Sequence, residues 1–261
     1  MSQSKPTRYE FDTDAEWEFH ARVETEPIEE LLKAADELVS EIRFHIDKEC
    51  VWLSVVDPAN VAMVKASAEC VIDADGETVF GVGTEEFIEE LDKFDNFTDR
   101  ATFYLRPEEK TLFIQNDYGS REVTAFDPET AREEPEPPEL EYPNSVTVEA
   151  FRFVGVLEGI AGVSDGPVMV KPYDGFLRFS ASPSYVDTEW THEWDIEAEA
   201  SEGPEGVFSN YFLRAIARGL PAHGTVELSF GGQIPMRIDN GEGYWYMIAP
   251  RLADYPEPSE E

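Results

Sequence analysis

The chain of 261 residues is 41% hydrophobic and 12% aromatic, enough for one large core or two of about 100–130 residues. It carries 56 acidic against 20 basic residues, a formal charge of −36, and only two cysteines. These figures exclude a collagen-like, a disulfide-scaffolded and a largely disordered chain, and no apolar run is long enough to span a membrane.

Residues 1–18 are polar and irregular, show no secretory apolar stretch, and read as an N-terminal extension. His20 to Glu24 alternates as a strand. Residues 27–42 set Ile28, Leu31, Leu32, Ala35, Leu38, Val39 and Ile42 at helical spacing, with Pro27 suited to the first turn. Strand patterns follow at 43–47, 50–56 and 61–68. A second helix is predicted over 84–95 with Thr84 as its N-cap, then strands at 101–106, 110–116 and 121–126. Residues 127–143 hold five prolines, six glutamates and one aspartate; such a stretch supports neither helix nor central strand and is predicted as an extended linker.

Beyond the linker the same order returns. Residues 145–163 read as strand then helix, 175–182 and 193–200 as strands, and 206–220 as a short strand, a polar cap and a helix. Segments 225–230, 235–239 and 244–250 close the chain as strands. The halves 19–126 and 145–252 thus form an internal duplication, each an α+β layer of sheet with two helices on one face.

The charge is dispersed through segments that also carry core periodicity, and arginine outnumbers lysine 13 to 7. Dispersed acid with little lysine matches proteins that work in molar salt, where the Debye length falls to about 3 Å and self-repulsion is screened. Cys50 and Cys70 sit in apolar alternating segments and read as reduced core residues, consistent with a cytosolic setting. His20, His45, His192 and His223 lie in no metal-binding spacing. GVGTEE at 81–86 lacks the lysine of a phosphate loop, and no GxSxG is present. The expectation is a protein that is not an enzyme and needs no cofactor or metal.

Three segments in order on this duplicated frame carry a resemblance: VDPANVAMV (56–64), FSAS (179–182) and YMIAPRL (246–252). With a connector opening FDP and Pro235 before a late strand, residues 19–252 resemble the DNA sliding clamps of the proliferating-cell nuclear antigen (PCNA) type, above all those of halophilic archaea. The resemblance implies clamp domains at 19–126 and 145–252, an interdomain connecting loop at 127–144, and an acidic tail at 253–261. The extension 1–18 lies outside the family pattern. It implies curved antiparallel sheets with helices on the inner face, and a homotrimeric head-to-tail ring around double-stranded DNA. It further implies a processivity factor, cytoplasmic and nucleoid-associated in an archaeal or archaeal-virus host cell, that tethers DNA polymerase, clamp loader, ligase and nucleases. Two alternatives stand beside it: a clamp-like variant (a hetero-trimer subunit, or virus- or plasmid-encoded), and a clamp-fold scaffold that does not encircle DNA.

By the same resemblance, subunits join through Thr111 to Asn116 and Leu177 to Ser182, with Leu112, Phe113, Ile114, Leu177 and Phe179 as apolar contacts. The partner-peptide pocket maps to Val56, Met63, Ala131, Pro235, Met247, Ala249, Pro250 and Leu252. Ala131 stands where a larger aliphatic residue is usual, and Met247 where tyrosine is frequent. The DNA-facing cations map to Arg218, Arg214, Arg152, Lys33 and Lys93. Against them, the first helix is expected to present Glu29, Glu30, Asp36, Glu37 and Glu41, and the second Glu85, Glu86, Glu89, Glu90 and Asp92. At ordinary salt such a lining repels DNA; in molar salt it is screened. The fourth helix alone is expected to be net basic.

Overall fold

The computed structural model describes residues 19–93, 100–106, 110–163, 166–173, 176–181, 190–195, 205–220, 223–241 and 243–251. Predicted features at 1–18, at Ser182 and from Leu252 onward, including the 253–261 tail, lie outside the described residues. In chain order the elements are β1 (Phe19–Glu24), α1 (Thr25–Asp36), β2 (Glu41–Ile46), β3 (Val51–Val56), β4 (Ala62–Ala68), β5 (Val71–Ala74), β6 (Thr78–Gly83) and α2 (Thr84–Asp92). Then come β7 (Arg100–Arg106), β8 (Thr111–Asn116), β9 (Gly119–Phe126), a single 3-10 turn (Pro128–Thr130), β10 (Asn144–Glu149) and α3 (Ala150–Val163). The chain continues with β11 (Val168–Tyr173), β12 (Phe176–Ala181), β13 (Trp190–Asp195), β14 (Gly206–Phe208) and α4 (Asn210–Gly219), and closes with β15 (Thr225–Gly231), β16 (Ile234–Asp239) and β17 (Tyr244–Ile248). No helix among the described residues is long and apolar enough to cross a membrane. The architecture is the expected α+β duplication.

The chain forms two compact units. Of the described residues, one unit holds those in 19–36, 40–53 and 67–133, and the other those in 37–39, 54–66 and 134–251. In the first, antiparallel strands run in the order β3-β2-β6-β9-β8-β7-β1-β5. Period-two alternation puts Ala21 and Val23 of β1, Phe103 and Leu105 of β7, and Leu112 and Ile114 of β8 on one buried face. Helix α1 buries Ile28, Leu31, Leu32 and Ala35, and α2 buries Phe87 and Leu91. The rings of Phe44, Phe87, Phe80 and Phe103 tie the layers together: Phe44 lies 5.4 Å from Phe87 and 5.6 Å from Phe80, and Phe87 lies 5.8 Å from Phe103.

The second unit carries the order β10-β15-β16-β17-β4 and a separate four-stranded sheet, β13-β12-β11-β14. Its helices bury Phe153, Leu157 and Ile160 from α3 and Leu213 and Ile216 from α4. Phe153 meets Phe179 edge-on at 6.2 Å. The fully buried Tyr246 donates its hydroxyl to the Gly219 carbonyl at the end of α4, at 2.8 Å.

The structure corrects several sequence expectations. The first helix ends at Asp36, not 42. Ile42 instead alternates with Phe44 and Ile46 and pairs with Val82 of β6, so strand pairing overrides the helical spacing. The turn between them is held by the Thr84 N–H donating to the Ser40 carbonyl at 3.1 Å. Gly83 rather than Thr84 occupies the N-cap of α2, and the Thr84 hydroxyl donates to Asp36 Oδ1. Strands β5 and β11 carry too little apolar contrast to stand out in the sequence.

The proposed subunit edges are corrected too. Strand β8 is hydrogen-bonded to β7 on one side and β9 on the other, and β12 lies between β11 and β13. Leu112, Ile114, Leu177 and Phe179 are fully buried core residues, and Phe113 lies beneath the Arg106 guanidinium, 5.3 Å from its ring centroid. Neither segment has a free backbone edge. Charged replacements there act on folding: Ile114→Asp buries an unpaired carboxylate and should lower unfolding stability by about 3 kcal/mol or more in denaturant titrations. A normally stable, correctly folded variant would show that β8 is not an interior strand.

Candidate functional site

The motif VDPANV is a turn built around one carboxylate. Asp57 is 3% exposed. Its Oδ1 accepts from the Val61 and Ala62 N–H groups at 2.6 and 2.7 Å, and its Oδ2 accepts from the Ala59 N–H at 2.7 Å. Asn60 takes the left-handed conformation, φ 58°, that asparagine tolerates. This turn delivers β4 to β17, where Met63 stands directly opposite Met247.

Opposed residues of an antiparallel pair share a sheet face. Tyr246 reaches α4 from the other face, so Met63 and Met247 point away from that helix. The same register adds Arg237, opposite Met247, and by period two Pro235 and Ala249. The Ala249 N–H donates to the Val61 carbonyl at 2.7 Å. Met63 and Met247 are 7% and 6% exposed, while Val56, Pro235, Ala249 and Pro250 are half-buried. Six of the expected pocket residues therefore belong to the second unit. Ala131 belongs to the first, where Arg43 donates to its carbonyl at 3.2 Å. Leu252 lies outside the described residues.

The sequence reading missed two neighbours of this patch. Arg237 stacks over Trp245 at 5.0 Å and pairs with Asp239 at 2.6 Å. Tyr142, at the end of the connector, buries its hydroxyl without a hydrogen-bond partner among the described residues. Burial pushes its pKa up, against the nearby Arg237 charge. A polar group in a proline-rich run carries no periodic signal, so only the fold reveals it.

The helix surfaces hold the second set of candidates. Lys33 pairs with Glu29 at 3.2 Å, Lys93 with Glu90, and Arg152 with Glu149 at 2.6 Å. Arg218 makes a forked pair with Glu37, its Nε 2.6 Å from Oε1, and that carboxylate raises its pKa further. Arg214 is exposed and has no ion pair or hydrogen bond among the described residues. The expected acidic lining of α1 is also corrected. Glu37 and Glu41 lie beyond the helix end, and Glu29 is 5% exposed.

Cys50 and Cys70 are free thiols. Both pKa values are pushed up to about 12, in each case first by burial and, for Cys50, also by its hydrogen bond to Asp47 at 3.0 Å. Among the described residues no cluster of histidine, cysteine or acidic side chains could hold a metal ion.

No family model matches the chain. Whole-length relatives do. The chain is 30% identical over 244 residues to the DNA polymerase sliding clamp of Methanosarcina barkeri, covering 90% of this chain and 98% of that one. It is 27% identical over 246 residues to that of Halobacterium salinarum, with the same coverage. Among solved structures, the fold matches A. fulgidus PCNA bound to the C-terminal region of FEN-1, with a TM-score of 0.77 and 22% identity over 91% of this chain and all of that chain. PCNA from Thermococcus kodakaraensis matches with a TM-score of 0.74 and 19% identity, over 89% and 100% of the two chains. A relative at this identity over nearly its whole length, on the same pair of helix-backed units, means that the chain belongs to the DNA polymerase sliding clamp (PCNA) family.

Proposed function

We propose that this clamp closes as a head-to-tail homotrimer around double-stranded DNA and tethers DNA polymerase, clamp loader, ligase and nucleases by their peptides, acting as a tether and not as an enzyme. The observation that carries the reading is a pair of strand edges, one in each unit, left open along β9 and β13; β5, β10 and β14 also end their sheets among the described strands. Strand β9 pairs with β8 along its length but with β6 only at Ala125 and Phe126. The hydrogen-bonding phase, set by the Ala125 N–H donating to the Lys110 carbonyl, turns the backbone of Ser120, Glu122 and Thr124 to the open side. Glu86 takes the Thr124 N–H there at 3.2 Å, a carboxylate guarding an otherwise adhesive edge. In the second unit β13 pairs with β12 alone among the described strands. Two different edges on one chain make a heterologous contact, which closes into a ring when the rotation permits. The interface therefore moves one strand along from the segments expected, to 119–124 and 190–195.

The methionine patch supports the tethering half of the reading. Clamp partners dock apolar anchors, and hot spots of this kind lie in packed, desolvated pockets. A. fulgidus PCNA holds the C-terminal region of FEN-1, and we assign the equivalent role here to Met63, Met247, Pro235, Ala249 and Pro250.

Two measurements test this. Glu122→Pro removes an N–H that β8 does not use, so the fold should persist. Its mass in molar KCl should be that of a monomer where the wild type is a trimer; a trimeric variant removes β9 from the interface. Met63→Ala with Met247→Ala should weaken binding of a FEN-1-type C-terminal peptide about tenfold or more, with the trimer mass unchanged. Unaltered peptide affinity places the pocket elsewhere.

A further inference from the structure

The helix pair of the second unit exposes two large aromatic side chains that the clamp reading does not use. Phe151, on the first turn of α3, is 56% exposed, and Tyr211, on the first turn of α4, is 66% exposed. The two helices pack against each other. The same surface carries cations: the Arg152 guanidinium lies 5.8 Å from the Phe151 ring, and Arg214 follows Tyr211 by one helical turn. Helix α4 contains no acidic residue. In the first unit the lysines are paired to carboxylates, as Arg152 and Arg218 are in the second, but its helices expose no aromatic side chain among the described residues and carry an excess of acid.

An exposed face combining aromatic rings with an arginine that has no ion pair among the described residues suits a polyanion that also has an apolar surface. Duplex DNA presents both, phosphate oxygens and the carbon edges of deoxyribose. Net charge argues for the need of an apolar component. In ~1 M salt, attraction beyond about 3 Å is screened, and counterion release contributes little. Arg218 is already neutralised by Glu37 and Arg152 by Glu149. Apolar ring-to-sugar contacts are not screened by salt, and burying apolar area contributes about 25 cal/mol per Å² whatever the base sequence.

We propose that this clamp touches DNA through the helix face of its second unit, with Phe151 and Tyr211 packed on deoxyribose and Arg214 on phosphate, so that contact persists in molar salt. The proposal rests on the clamp reading above and specifies its DNA surface. Because the first unit's helices carry an excess of acid and no exposed aromatic side chain among the described residues, contact is confined to the second unit of each subunit.

The test uses the full-length protein and a short fluorescent duplex, titrated across KCl concentrations at which the trimer is intact. Phe151→Ser with Tyr211→Ser should weaken binding about tenfold at every salt concentration, leaving the slope of log K against log salt unchanged. Arg214→Gln should instead flatten that slope, by about 0.9 for each phosphate that the arginine no longer neutralises. Tyr118→Ser removes an aromatic side chain of similar exposure, 64%, from the β8–β9 turn and should change nothing. If the double serine variant binds as the wild type does, the rings do not touch DNA, while the clamp reading stands. If that variant no longer forms the trimer, the aromatic face is an interface between copies and the proposal falls. If the wild-type trimer neither binds duplex nor stimulates a polymerase at any salt, the clamp reading falls and takes this proposal with it.

Discussion

Each unit buries one face of an antiparallel sheet beneath a pair of helices, and the remaining features follow from which atoms that burial leaves over. Alternation along a strand sends every second side chain to the covered face. In the second unit that face holds Tyr246, Ile238 and Leu228, fully buried, with Tyr246 hydrogen-bonded to the end of α4. Residues one step out of phase, Met63, Met247 and Arg237, are thereby forced onto the opposite face. The outward sides of the helices are left to solvent, and there the two units diverge in charge and in aromatic content.

Charge is handled around this frame and not within it. The cores of both units are apolar, and a buried polar group such as Asp57 has a structural role, here accepting three backbone N–H bonds. Exposed ion pairs contribute about 0–1 kcal/mol each, less in concentrated salt. Pairs such as Arg152 with Glu149 and Arg218 with Glu37 therefore matter more for local neutralisation than for stability. Their consequence is functional: they remove cations from the helix surface and leave Arg214 as the exposed arginine of that face without a partner among the described residues.

Edges follow the same logic. The alternating apolar pattern of β8 and of β12 reads equally well as an edge or as an interior strand, since both bury one face. What separates them is pairing. Strands β8 and β12 are bonded on both sides, whereas β9 from Gly119 to Thr124, and β13 along its described length, are bonded to another strand on one side. An unpaired row of N–H and C=O groups demands a partner or a guard. Glu86 guards one position of β9, and the rest of the row is open to another chain.

Much was legible in the residues themselves. Helical spacing located α1 to α4, period two located most strands, and the proline-glutamate run marked a stretch with neither α-helix nor strand, because each of these signals is local. The Asp57 turn, Pro235 and the Met247 segment were visible as short motifs, and they carried the family. Local spacing failed where two periods competed: Leu38, Val39 and Ile42 fit a helix, yet pairing with β6 drew Ile42 into a strand. It was silent on the orphan hydroxyl of Tyr142, on the pairing of Glu37 with Arg218 across 181 residues, and on the identity of the open edges. By itself the sequence determined the class of fold, the duplication and the acidic surface, since propensity, periodicity and charge are properties of neighbouring residues. Only the tertiary structure decided which strands end a sheet, which cations are cancelled and which aromatics stand in solvent, because each depends on partners distant along the chain.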